Sequence, residues 1–165
     1  MTSSARTRRR KGNQILEMSL MIVPLFGLLF GIVDFAFAIF IRGTMEHAVR
    51  EGTRYAATYR LKPAKCQAES IKLVVQESSL GFLTGSNADK IKVRFFNPEE
   101  DAVSGNFDEI SVGGNRPGNI VEVAVENYLY NWMVPLYWGS DPMKISVRAA
   151  DRLEGLAAGA APPCL

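Results

Sequence analysis

The chain has 165 residues, a length suited to one domain, and its 19 Lys and Arg against 17 Asp and Glu leave a net charge of +2. That balance hides a polarity: Arg6, Arg8, Arg9, Arg10 and Lys11 stand in residues 1–12 with no acid, whereas the other 153 residues hold 14 basic and 17 acidic groups. A basic surface spread over the fold is excluded, and with it the simplest case for nucleic-acid binding; one His and two Cys are too few for a His-based or Cys-rich metal module.

Residues 1–12 read as a basic leader. From Met18 to Ile41 there are 24 residues with one charge, Asp34. A helix of that length runs about 36 Å, enough to cross a hydrocarbon core of about 30 Å. Its first two thirds, from Leu20 to Val33, leave no polar face, and a helix apolar all round belongs in lipid or in a very large core. The rest of the chain is too small to supply that core, so residues 13–41 read as a transmembrane helix. Charges after it (Arg42, Glu46, Arg50, Glu51, Arg54) are mixed. The positive-inside rule therefore puts residues 1–12 in the cytoplasm and everything beyond Ile41 outside. The competing reading is a secretory signal cut at Ala36-Phe37-Ala38. Against it, the uncharged run Met18–Val33 is already 16 residues long, and the chain stays apolar through Ile41.

Within the span, Pro24 removes one backbone hydrogen bond, which membrane helices tolerate. Gly27 and Gly31 form a GxxxG pair that lets another helix approach closely; the general abundance of Gly in membrane helices accounts for them equally well. Asp34 lies about 25 Å beyond Glu17 along the helix axis. It reads first as an interfacial carboxylate reaching headgroups and second as a polar contact with a neighbouring helix.

Residues 42–60 continue the helical period, with Met45, Ala48, Val49, Gly52, Tyr55, Ala56 and Tyr59 on one face. One helix from Asn13 to Arg60 is expected, about 72 Å long. A short helix follows at 64–80, carried by Ala68, Ile71, Val74 and Val75. Lys90–Phe95 alternates as a strand with one wet face, residues 97–118 have loop composition, Val121, Val123 and Val125 mark a second strand, and Met143, Ile145, Val147 and Ala149 a third. The fold class is α+β: a long N-terminal helix with a small antiparallel sheet packed on its outer half. Residues 42–154 form the extracytoplasmic domain, and the Ala/Gly/Pro-rich residues 155–165 read as a flexible tail.

No residue pattern assigns catalysis, a cofactor or a metal. His47 has no second His or nearby Cys to share an ion. Glu99-Glu100-Asp101 lacks the spaced oxygen ligands of an EF-hand, and nucleophile elbow, P-loop and Rossmann patterns are missing. The chain thus reads as non-enzymatic. Tyr128, Tyr130, Trp132, Tyr137 and Trp138 suit a core corner, an interfacial membrane anchor or a partner surface, with core plus partial exposure favoured. Cys66 and Cys164 face an oxidising compartment that allows a disulfide, though spacing alone does not bring them within the required Cα separation of about 7 Å.

Glu17 stands at the start of the apolar run. A carboxylate near a helix N-terminus is favoured by the dipole, but one in lipid calls for a partner. The string Arg8-Arg9-Arg10-Lys11-Gly12, then Asn13-Gln14-Ile15-Leu16-Glu17 and an apolar helix, resembles a type IV prepilin leader. In such proteins a membrane-embedded prepilin peptidase cuts after the Gly, and a Glu stands fifth in the mature chain. The resemblance places the cut between Gly12 and Asn13. Glu17 would then pair with the new amino terminus of a neighbouring subunit and set register. A paired buried charge is tolerable where an unpaired one is costly. Glu17, Pro24, Gly31-Ile32-Val33-Asp34-Phe35 and Arg50-Glu51-Gly52-Thr53-Arg54-Tyr55-Ala56 further resemble the TadE-like family of pseudopilins. Pro117-Gly118 before a Val-rich strand and a last strand with Arg152 and Glu154 extend the likeness; residues 64–115 match loosely, and Met18 replaces a common aromatic.

The resemblance implies a pilin-like fold and a minor pseudopilin role in a tight-adherence (Flp-type) pilus or related secretion machine. The implied partners are the prepilin peptidase, other pilin-like subunits, the inner-membrane assembly platform and the lipid bilayer. The implied location is the bacterial inner membrane or the pilus outside it. An uncleaved single-pass anchor with a partner-binding outer domain is the alternative.

Overall fold

A computed structural model of the chain describes residues 4–98, 108–110, 112–133, 141–156 and 161–165, with side chains from residue 14 onward. Helix α1 spans Ser4–Ala57, 54 residues or about 81 Å, with Pro24 inside it. It starts earlier than expected, running through the leader backbone. It also stops three residues sooner, because Tyr59 turns into the left-handed region (φ 53°). Other elements stitch the freed carbonyls there. Tyr59 N–H and Gln67 Nε2 donate to Ala56 O (3.1 and 3.2 Å), and Glu154 N–H donates to Ala57 O (3.1 Å). Such donors are what a helix C-terminus lacks by itself.

The two halves of α1 differ in what covers them. From Ile15 to Phe40 its large apolar side chains are exposed, Leu20 at 77% and Val23 at 72%. From Asp34 onward a stripe at steps of three and four is buried: Asp34, Ala38, Ile41, Met45, Ala48, Val49, Gly52 and Ala56. The expected outer face is thus the packed one, and it begins two turns earlier, inside the apolar span. Ala38 is 1% exposed, so the Ala36-Phe37-Ala38 pattern lies in the packed part of an unbroken helix.

Helix α2 (Gln67–Ser78) buries Gln67, Ser70, Ile71 and Val75. A 3-10 turn, Gly85–Lys90, leads into strand β1 (Ile91–Phe96). Strands β2 (Ile120–Tyr130) and β3 (Met143–Arg152) complete an antiparallel sheet of order β1-β2-β3. Ile91, Phe95, Val121, Val123, Val125, Ile145 and Val147 face α1 and α2 as one core. On the wet face Arg94 meets Glu126 at 2.6 Å, Glu122 at 3.2 Å and Glu109 at 3.6 Å.

Strand β2 runs further than its Val alternation indicates. Val125 pairs with Val147, but Tyr128 pairs with Ile145, so β2 carries one extra residue. Asn127 takes φ 55° there, and its N–H donates to Ser146 Oγ (3.1 Å). This bulge shifts the side-chain phase by one. Tyr128 and Tyr130 therefore continue the inward set Val121, Val123, Val125 despite the odd spacing.

At the domain's far end a buried polar knot joins four segments. Asn115 Nδ2 donates to Gln67 Oε1 (2.8 Å) and to Pro163 O (2.7 Å), Gln67 N–H donates to Cys164 O (2.7 Å), and Tyr59 Oη donates to Asn115 O (3.1 Å). Cys66 and Cys164 form a disulfide with Cα atoms 4.9 Å apart across a sequence separation of 98. The end of the tail read as flexible from composition is thus fixed at residues 163–164. The crosslink closes most of the domain into one loop, which limits the unfolded chain. Cys66→Ser with Cys164→Ser is expected to lower stability by about 2–4 kcal/mol. Urea midpoints of the full chain in detergent check this; equal midpoints for the two proteins would refute it.

Candidate assembly interface

The segment with the strongest sequence signal is the exposed lower half of α1. It is the helix in the described residues long and apolar enough to cross a membrane. The Gly12–Asn13 bond lies inside this helix; the side chain of Asn13 lies outside those described. Glu17 is exposed, and among the described residues no hydrogen bond or ion pair reaches it. Nothing else on this sleeve from Gln14 to Val33 carries a charge. One carboxylate at the foot of an otherwise uncharged rod gives any apolar neighbour a single polar address.

Gly27 and Gly31 are half-exposed. Their spacing continues the stripe upward through Asp34, Ala38, Ile41 and Met45, so they share the helix face that the domain covers higher up.

Asp34 is placed differently from either expectation. It is 3% exposed and faces its own chain. Tyr130 Oη donates to its Oδ1 and, at 3.3 Å, to its backbone oxygen; the Met133 N–H donates to Oδ2 at 3.1 Å. Trp132 stands edge-on to Tyr130, with ring centroids 5.5 Å apart. The end of β2 therefore clamps the domain to α1 through the one acid in the apolar run. Sequence reading missed Tyr130 and the Met133 amide. The available signal was the demand of a carboxylate in an apolar run for donors, met by aromatic residues that only the bulge turns inward.

Burial first, and the bond to Asp34 second, push the Tyr130 phenol up from 10.0 to about 12. A phenol held neutral in the fold stabilises it fully below its unfolded value, and that contribution disappears as pH rises through the folded value. Stability should therefore fall between about pH 10 and about pH 12, with a shallower fall in Tyr130→Phe. Tyr59 and Tyr128, also raised by burial, keep part of the decline. Urea midpoints across that range measure it; parallel curves for the two proteins would refute the assignment.

His47 is exposed beside a surface groove shared with Phe40, Gly43, Thr44, Glu77 and Leu80. Among the described residues no cluster of three or more His, Cys, Asp or Glu is placed to hold a metal ion. Glu99, Glu100, Asp101, Tyr137 and Trp138 lie outside the described residues.

Residues 12–54 match the family model of TadE-like proteins, which begins at Gly12 and takes in Glu17, Pro24, Gly27, Gly31, Asp34 and Gly52. This N-terminal part of the chain is TadE-like in sequence; the likeness drawn from residues 117–154 lies outside the match. No curated protein and no solved structure matches the chain.

Proposed function

We propose that this chain is a minor pseudopilin-like subunit that works in tight-adherence pilus assembly after a prepilin peptidase cuts between Gly12 and Asn13. Its N-terminus lies in the cytoplasm and its domain outside the inner membrane. It joins pilin-like neighbours and the assembly platform through the sleeve of α1, and it has no catalytic role. The TadE-like match supports the setting in pilus assembly. The observation that carries the finer reading is Glu17, exposed and unpartnered within the described chain, five residues after Gly12.

Removal of the leader takes away five positive charges and creates an amino group on Asn13. That group supplies the cation a carboxylate in an apolar assembly requires. The packing of Ala38 and Asp34 into the fold favours an anchor kept on the protein, since a cut after Ala38 would strip away Asp34. The test is mass spectrometry of the protein made with and without its cognate peptidase. The expected mature chain begins at Asn13; an N-terminus that stays at Met1 or Thr2 leaves an uncleaved anchor instead. Glu17→Ala is expected to abolish capture of pilin-like neighbours in mild detergent, and undiminished capture would refute the register role.

A further inference from the structure

We propose that the rim of the domain nearest the span, formed by Leu80, Phe82, Trp132 and Met133, is a second membrane contact that sits in the outer leaflet at the headgroup–acyl boundary. This rests on the reading of α1 as a membrane span. The argument starts from length. Between Glu17 and Asp34 the helix rises about 25 Å, less than a hydrocarbon core of about 30 Å. With Glu17 at the inner boundary, Asp34 lies about 5 Å below the outer one, and helix tilt sinks it further. Whatever is level with Asp34 goes with it.

The Met133 side of the rim is level with it. The Met133 amide bonds the Asp34 carboxylate at 3.1 Å, and Tyr130 holds its other oxygen. About two to three turns higher, the Phe82 ring stands edge-on to Phe40 with centroids 6.4 Å apart, and Leu80 shares a groove with Phe40, Gly43 and Thr44. Leu80 is 71% exposed and Met133 59%. Apolar side chains so presented gain by burial in an interface about 5–10 Å deep, and Trp is at home there. The Asp34 clamp fits the same depth. A carboxylate below the hydrocarbon surface needs donors supplied by protein, and the rim supplies them.

The full chain, with its native disulfide, is labelled with a nitroxide at Leu80→Cys or Met133→Cys and reconstituted in phosphatidylcholine–phosphatidylglycerol vesicles. Power saturation with oxygen and with a water-soluble nickel chelate reads depth. Val112→Cys, on the exposed loop, marks water, and Leu25→Cys marks the span; all four sites are exposed, so folding is undisturbed. The expected result is severalfold lower chelate access and higher oxygen access at 80 and 133 than at 112. Chelate access equal to that at 112, with the label at 25 in lipid, overturns the proposal alone. Labels at 80 and 133 shielded from both reagents indicate a protein partner and also overturn it. A label at 25 open to the chelate overturns the span itself.

Discussion

Asp34→Leu is expected to release the end of β2 from α1 and to be among the most damaging single substitutions in the chain. The carboxylate satisfies Tyr130 Oη and the Met133 amide. Each buried donor left without an acceptor costs about 1–3 kcal/mol. Asp34→Asn keeps one acceptor oxygen and should lose roughly half as much. Tyr130→Phe removes one donor from the carboxylate instead. The two partners act as one unit, so a cycle of Asp34→Asn, Tyr130→Phe and the double variant should show a coupling of about 0.5–3 kcal/mol. Urea unfolding in detergent, followed by Trp fluorescence and by protease cleavage near residue 133, gives the numbers. Strict additivity would mean that the clamp does not form.

Gly52→Leu is expected to prevent the domain from closing on α1. A Cβ at this position overlaps the Cγ2 methyl of Val75 and comes within 3.6 Å of Val123 and 3.7 Å of Ile71. Val75 is fully buried and branched, so it has no free rotamer into which to retreat. Two effects compete in Gly52→Ala. Helix propensity favours Ala by about 1 kcal/mol, whereas overpacking opposes it by about 1–3 kcal/mol. A modest net loss follows for Ala, and loss of the folded domain for Leu. Val75→Ala removes the overlapping methyl, so Gly52→Ala with Val75→Ala should be more stable than the sum of the single losses predicts. Thermal unfolding of the four variants beside the unsubstituted chain tests this; a fully tolerated Gly52→Leu would show that α1 and α2 do not meet as closely as described.

These two sites show how far local pattern reaches. Gly52 was legible as a member of the apolar face of α1, because a stripe at steps of three and four appears in the residues themselves. Its close contact with Val75 was not, since Val75 belongs to another element and the distance depends on how α2 docks. Tyr128 and Tyr130 were legible as an aromatic group but not as strand. The alternation of Val121, Val123 and Val125 breaks at the bulge, and a one-residue shift in phase reads in sequence as the end of the strand. The hold on the end of the tail is not legible in composition for a related reason. Ala, Gly and Pro indicate a lack of regular structure, and they carry no information about a crosslink from Cys164 or a bond from Asn115.

The amino-acid order by itself determined the long helix, its uncharged lower half, the lone Glu17 after the basic tract and the α+β class, because each is a matter of neighbours one to four residues apart or of charge counted along the chain. It also carried the TadE-like likeness, matched over residues 12–54. Tertiary structure decided where Asp34 turns, which face of β2 holds Tyr130 and what Cys66 meets. The contacts of Asp34 and of Cys66 join residues 96 to 99 positions apart, and the bulge depends on a partner strand. Such contacts are chosen by the packing of whole elements against one another, and no local period records them.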